Sequence, residues 1–88
     1  DIMRLDKYLK VSRIIKRRTL SKEMAGSERV LVNGKVAKPS HQLKIGDLIT
    51  VEFGRRRLEV EVLMLKEHVL KDESHLMYRL VKDEKIEA

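Results

Sequence analysis

The residues with the clearest chemical potential are cations crowded into the first quarter of the chain. Between Arg4 and Lys22 the sequence holds eight Lys or Arg and a single acid, Asp6. Clustering of this density is typical of a surface that binds a polyanion such as nucleic acid. The alternative is an ordinary solvated face that favours solubility. The eight cations are Arg4, Lys7, Lys10, Arg13, Lys16, Arg17, Arg18 and Lys22.

The charge asymmetry extends over both halves of the 88-residue chain. Residues 1–44 hold 12 Lys/Arg against 4 Asp/Glu, whereas residues 45–88 hold 8 against 10. The net charge of +6 therefore originates in the first half, which we expect to face the partner. Lys35 and Lys38, also in this half, complete the predicted set of residues that bind nucleic acid.

Three of the cations lie where helix stability alone would not place them. Lys16, Arg17 and Arg18 precede or open a predicted helix, for which Thr19 is the expected N-cap and Gly26 the expected positive-φ terminator. Cations at a helix N-terminus oppose the helix dipole. A bound phosphate reverses this effect, because both the cations and the free amides of the first turn attract it. The pattern predicts an anion site here, with a plain surface charge run as the alternative.

No group of residues has the spacing of a catalytic or metal site. His41, His68 and His75 fall in separate turn and loop segments, without the helical spacing of metal-ligand pairs. The four glycines occur singly, so no phosphate-cradling glycine loop is present, and cysteine is absent. We predict a protein that is not an enzyme and uses no metal and no cofactor.

Aromatic side chains are scarce, since only Tyr8, Phe53 and Tyr78 occur. Proteins that read single strands usually stack the bases on an aromatic platform. The composition therefore favours recognition of folded RNA by its shape and its phosphates. A DNA-binding role is less favoured, because no helix-turn-helix pattern or dimer seam is visible.

Two short helices are predicted to carry the cations. Val11 and Ile14 fall off the apolar stripe of the first helix, which predicts a break before the second. In the second helix, Leu20 and Met24 form the i, i+4 pair expected to face the core. In the first helix, the predicted core side is Leu5, Tyr8, Leu9 and Ser12, and the predicted outer side is Asp6, Lys7, Lys10 and Arg13.

From Arg29 onward the apolar period changes to two, which predicts strands. Residues 29–32 and 35–37 flank Asn33-Gly34, a pair that suits the positive φ angles of a type I′ hairpin turn. Residues 48–53 and 58–63 are predicted as further strands. Residues 66–75 are expected to form a loop, residues 76–81 either a strand or a short helix, and residues 82–88 a frayed end.

The predicted fold class is α+β, with two short helices packed on a small antiparallel sheet of about four to five strands. We assign residues 3–65 to one domain and residues 66–88 to a C-terminal extension that packs partly on the sheet. Met3 is the expected natural start. No apolar run approaches the ~20 residues of a membrane span, so we expect a cytoplasmic protein with no membrane partner, monomeric when free.

Three segments resemble, in order and spacing, the αL RNA-binding domain of the S4 type, which is named after a small-subunit ribosomal protein. They are an Arg-Leu-Asp helix at 4–9, a basic step at 16–19 and a Gly-to-Asn-Gly hairpin at 26–35. The likeness covers about residues 3–53. The resemblance implies RNA contacts for Arg4, Arg13 and Arg18. The other cations are predicted to contact RNA from their charge and helical phase, not from the motif. Ser27-Glu28 departs from the small residues that many members carry there.

Among small stand-alone members, the chain most closely resembles those that act in ribosome-associated quality control in Gram-positive bacteria. The likeness lies in residues 7–13, 16–20, 46–47, 53–54 and 77–78. This resemblance implies binding to the rRNA of large ribosomal subunits that carry stalled peptidyl-tRNA, and assistance to the factor RqcH in C-terminal alanine tailing. The alternatives are a heat-shock-type factor that recycles large subunits, and an adaptor whose basic face meets an acidic protein.

Overall fold

A five-stranded antiparallel sheet and two helices form the body of the protein in a computed structural model that describes residues 2–85, except the side chain of Arg18. The elements are β1 (Met3–Arg4), α1 (Leu5–Val11), α2 (Arg18–Gly26), β2 (Val30–Val32), β3 (Lys35–Val36), β4 (Gln42–Leu43), β5 (Leu48–Phe53), β6 (Arg56–Val62), a 3-10 helix (Lys71–Met77) and β7 (Tyr78–Lys85). The strand order in the sheet is β3-β2-β5-β6-β7, and β1 with β4 forms a separate antiparallel pair. This arrangement confirms the α+β prediction.

The core lies between the helices and one face of the sheet. Tyr8 is fully buried there, as are Ile49 and Val51 of β5 and Val60 and Val62 of β6, which alternate toward this face. In the part of the chain that the structure describes, no helix is long and apolar enough to cross a membrane. The fully buried apolar residues are Leu5, Tyr8, Leu9, Val30, Leu43, Ile49, Val51, Val60, Val62 and Met77.

The predicted break between the helices is confirmed. α1 ends at Val11, and Arg13 turns the chain with a φ of 62°. The Ile15 amide then donates to the Leu9 carbonyl at 3.0 Å, which brings Ile15 into the core. Ile14 is partly buried beside it. The two helices are therefore separate elements joined by the exposed segment that contains Lys16 and Arg17.

The predictions for α2 were wrong in three details. The N-cap is Arg17, which makes no capping hydrogen bond, rather than Thr19. Gly26 is the last helical residue, and the left-handed conformation falls two residues later, on Glu28, with a φ of 63°. Leu20 is 44% exposed, because the helix instead packs through a face of small and flexible side chains. The buried residues of that face are Ser21, Met24 and Ala25.

The Asn33-Gly34 turn is confirmed, with φ angles of 52° and 83°. Asn33 also connects this hairpin to the next strand. Its side-chain amide donates to Asp47 Oδ1 at 3.1 Å, and its side-chain oxygen accepts from the Leu48 amide at 3.0 Å. The residue therefore fixes the position of β5 as well as shaping its own turn.

The C-terminal extension is more ordered than expected. The predicted loop at 66–75 runs into the 3-10 helix, and the alternatives left open for residues 76–81 resolve to a strand from Tyr78. β7 pairs with β6 from Val62↔Tyr78 to Arg56↔Lys85, so residues 82–85 are paired rather than frayed. The rest of the predicted frayed end, residues 86–88, lies outside the described residues.

Candidate nucleic-acid interface

The start of α1 is closed by the protein's own groups. The amides of Leu5 and Asp6 donate to the carbonyls of His41 and Pro39, at 2.8 and 3.1 Å. The Lys7 amide donates to Asp6 Oδ1 at 2.8 Å. With these amides already satisfied, the N-terminus of α1 is not an anion site.

Asp6 is buried instead of facing solvent as predicted, since only 1% of it is exposed. A buried carboxylate needs donors, and Arg4 supplies two, from Nε and Nη2 at 3.1 Å each. The helical pattern could not show this, because the donor lies in β1, outside the helix. Arg4, one of the predicted RNA-binding residues, is thus engaged within the fold.

Lys7 is also engaged. Its Nζ lies 2.8 Å from Glu67 Oε1, in the segment that connects β6 to the 3-10 helix. The hydrogen bond from Lys7 and its positive charge together lower the pKa of the Glu67 carboxyl. Residues 66–75 show no sequence period, so nothing in the sequence could locate this acid beside α1.

One turn further along α1, Lys10 and the nearby Arg13 are exposed. They line one shallow depression, of about 150 Å³, against the segment that continues from Glu67. His68 and Val69 form its other wall. The structure therefore brings these two predicted cations together on one surface.

The segment before α2 carries further exposed cations. Lys16 and Arg17 are exposed, whereas the side chain of Arg18 lies outside the described part of the chain. The first turn of α2 contains no acidic residue, and its N-cap makes no side-chain hydrogen bond. Among the described residues, the amides of Thr19 and Leu20 have no hydrogen-bond partner. This N-terminus has the free donors and the cations that the sequence predicted, and Lys22 lies exposed one turn later.

Lys35 and Lys38 occupy different places. Lys35 lies exposed on β3, the edge strand of the sheet. Lys38 lies in the turn whose Pro39 and His41 carbonyls close the start of α1, so it is close to the Arg4 end of the helices. Lys35 is thus separated from the predicted helical group, whereas Lys38 extends it.

Most cations around the helices are unpaired, whereas most cations of the five-stranded sheet are paired; Lys35 and Lys85 are the exceptions among the described sheet cations. Five exposed cations around the helices make no ion pair with any residue in the range 2–85, and we refer to them as the helical cationic face. The sheet instead neutralises four of its own cations, in the pairs Arg56–Asp83, Arg57–Glu52, Arg79–Glu61 and Lys82–Glu84. The helical cationic face consists of Lys10, Arg13, Lys16, Arg17 and Lys22.

The arrangement of the ionisable side chains also bears on metal binding. Within residues 2–85, no three or more side chains of His, Asp or Glu come together in a way that could hold a metal ion. His68 lies beside Lys10 and Arg13, whose positive charges would repel a metal cation at that position.

Fold and charge together define a class of protein: a small α+β domain with unpaired cations at its helical end. Comparison with known proteins specifies the class. The S4 domain model matches residues 3–49. The chain is 51% identical over 84 residues to the RQC P-site tRNA stabilizing factor of Bacillus subtilis, covering 96% of this chain and 98% of that protein. The protein of the same name from Streptococcus pneumoniae is 48% identical over 85 residues, 97% of each chain.

Among solved structures, Vibrio cholerae Heat Shock Protein 15 superposes with a TM-score of 0.85 at 30% identity, over 92% of this chain and 83% of that one. That structure is described as trimeric. The chain therefore belongs to the S4-domain family and, within it, to the family of RQC P-site tRNA stabilizing factors. The resemblance inferred from the three sequence segments is confirmed.

Proposed function

We propose that the chain is a non-enzymatic RNA-binding factor of ribosome-associated quality control. One observation carries the proposal: the helical cationic face stays exposed and unpaired among the described residues, whereas the sheet neutralises four of its own cations. Unpaired cations that repel one another destabilise a fold slightly, and a polyanion relieves the repulsion. Family membership supports RNA as that polyanion.

The proposed contacts are electrostatic and match the shape of folded RNA. Arg13 and Arg17 offer guanidinium forks that match phosphate oxygens, and the amides at the start of α2 add donors that favour the same anion. Arg4 and Lys7 would act at the margin, because each already binds a carboxylate. The full proposed set is Arg4, Lys7, Lys10, Arg13, Lys16, Arg17, Arg18, Lys22, Lys35 and Lys38.

The proposed target is the large ribosomal subunit that carries a stalled peptidyl-tRNA, with contacts to both rRNA and tRNA. The names of the B. subtilis and S. pneumoniae relatives support tRNA as a ligand. In this proposal the chain is a cytoplasmic monomer when free. It assists RqcH in C-terminal alanine tailing by steadying the RNA, without chemistry of its own.

Sucrose-gradient sedimentation with large subunits that hold peptidyl-tRNA tests the proposal. Wild-type protein should co-sediment, and the Lys10→Glu/Arg13→Glu variant should remain at the top of the gradient. The matched control is Lys44→Glu/Lys71→Glu, which makes the same charge change at exposed cations outside the helical cationic face. Equal sedimentation of both variants would contradict the proposal, and binding that survives nuclease treatment would favour an acidic protein partner.

A second candidate is a heat-shock-type recycling factor, favoured by the TM-score of 0.85 to V. cholerae Heat Shock Protein 15. Both functions need binding to the large ribosomal subunit, so the effect of the chain on alanine tailing by RqcH is what distinguishes them. Reconstituted tailing with RqcH should yield longer alanine tails in the presence of the chain. Unchanged tail length together with normal subunit binding would select the recycling function.

A further inference from the structure

A second concave surface lies at the end of the sheet where β5 turns into β6. It is an open hollow of about 470 Å³, comparable in volume to small-ligand sites. Two kinds of side chain line it, an aromatic ring and charged groups. They are Phe53, Arg55, Arg56, Asp83 and Lys85, and we call this surface the hairpin cleft.

The strand register places these residues together. Phe53 pairs with Arg56, and Arg56 pairs with Lys85, so the three side chains lie on the same face of the sheet. The next row of that face contains Val51, which is fully buried in the core, and Leu58, which is only partly buried. The hairpin cleft is thus the place where the core face of the sheet emerges into solvent.

Charge in the hairpin cleft favours an anionic ligand. Its acid, Asp83, receives Arg56 Nε at 2.7 Å and Arg56 Nη2 on its second oxygen. These hydrogen bonds lower the pKa of Asp83, so the carboxylate is ionised and already paired. Arg55 and Lys85 are exposed, and neither forms an ion pair with a residue in the described range. Two free cations therefore border a partly buried aromatic ring.

We propose that the hairpin cleft binds an unpaired nucleotide of an RNA strand. The base would stack on the Phe53 ring, and Arg55 and Lys85 would bind the adjoining phosphates. An aromatic ring flanked by cations is the usual way in which proteins hold unpaired nucleotides, because each base offers a stacking face beside a charged backbone. An acidic peptide would use the cations but would gain little from the ring.

The hairpin cleft shares no residue with the helical cationic face, lies at the opposite end of β6 from the anchor of α1, and adds to the proposed function. α1 is anchored through Tyr8 at Met77, beside the Val62 end of β6, whereas the hairpin cleft lies at the Arg56 end. Six residue steps along a strand span about 20 Å. The chain would therefore hold folded RNA at its helices and an unpaired nucleotide at the hairpin, and so bridge two RNA segments.

Binding of a fluorescent hexauridine to the full-length protein, monitored by anisotropy and amide NMR shifts, tests the inference. Phe53→Leu keeps an apolar side chain but removes the ring, and should weaken binding about tenfold. Arg55→Gln should weaken it by roughly threefold and reduce the slope of log affinity against log salt by about 0.7, the value for one phosphate contact on a single strand. Lys71→Gln removes one exposed cation elsewhere and should leave both quantities unchanged.

The amide shifts caused by hexauridine should concentrate at residues 53–56 and 83–85, and should persist in the Lys10→Glu/Arg13→Glu variant. Shifts confined to the helices, with hexauridine binding lost in that variant alone, would overturn the inference and leave the proposed function intact. A hexaglutamate peptide that produces the same shifts, with affinity unaffected by Phe53→Leu, would overturn it in favour of a protein ligand.

Discussion

At the scale of single residues, Tyr8 shows how a helix is held to the C-terminal extension. It is fully buried, and its hydroxyl donates to the Met77 carbonyl at 2.6 Å. That carbonyl also accepts from the Leu63 amide at 2.9 Å, so it keeps a partner when the hydroxyl is removed. Tyr8→Phe should therefore lower the free energy of unfolding by only about 1 kcal/mol at neutral pH, as measured by urea denaturation.

The same residue predicts a pH dependence. Burial raises the pKa of Tyr8, and the nearby Tyr78 adds to the shift. An unfolded tyrosine ionises near pH ~10, so above that pH the folded state binds more protons and stability falls as pH rises. The wild type should lose up to about 1.4 kcal/mol per pH unit more than Tyr8→Phe over this alkaline range. Tyr78→Phe removes only the smaller cause of the shift, so it should retain most of the wild-type alkaline slope. Identical alkaline slopes in wild type and Tyr8→Phe would refute the assignment.

Individual site residues were only partly predictable. The cations are evident from composition, and most of them lie exposed as expected. Their ion pairs could not be predicted, because Glu67 lies 60 positions from Lys7 in the sequence, in a segment without any sequence period. The burial of Asp6 against Arg4 depended on β1, a strand of two residues, which is too short to give an alternating pattern.

At the scale of elements, the start of α2 combines poor helix capping with high positive charge. Arg17→Asp would supply a capping acceptor and an acid that complements the helix dipole, and should stabilise the protein by about 1 kcal/mol. The same change should weaken RNA binding, because it places a negative charge where the phosphate is proposed to lie. Thermal denaturation and RNA affinity should thus move in opposite directions.

Arg17→Ala separates the two effects. It removes the cation without adding a cap, so it should weaken binding while leaving the melting temperature close to that of the wild type. If the Arg17→Asp variant binds RNA as well as the wild type does, the start of α2 is not a phosphate contact, whatever the stability of that variant.

Elements were predictable where local chemistry alone decides them. Asn-Gly selects a tight hairpin turn in almost any context, and the break after α1 was indicated by Val11 and Ile14 leaving the apolar stripe. The face of α2 was not predictable in this way. Burial of Ser21 depends on its hydroxyl donating to the Arg17 carbonyl at 3.1 Å, and exposure of Leu20 depends on which neighbour the helix meets.

At the scale of the whole molecule, the number of unpaired cations in the helical cationic face predicts the salt dependence of RNA binding. If the five residues of the helical cationic face each neutralise one phosphate, log affinity should fall against log salt with a slope of roughly −3.5 to −4.5. Filter binding to structured RNA at several salt concentrations measures this slope. A slope near zero would show that the contacts are not ionic.

The predicted domain, residues 3–65, packs extensively against the C-terminal extension. β7 pairs along the whole of β6, and Val60 and Val62 are fully buried beside it. Removing residues 66–88 would expose these valines and Tyr8, at a cost on the order of 5 kcal/mol, which is comparable to the whole stability of a small domain. We expect the chain truncated after Leu65 to be unfolded by circular dichroism and amide NMR.

A chain truncated after Lys85 retains every described strand pairing and should stay folded, which makes it the matched control. A truncation at Leu65 that keeps dispersed amide signals would instead establish residues 3–65 as an autonomous domain. In that case the extension would restrain RNA binding rather than support the fold, because loss of Glu67 would free Lys7 to join the helical cationic face. The shorter chain would then bind RNA more tightly, so stability and affinity together decide what the extension does.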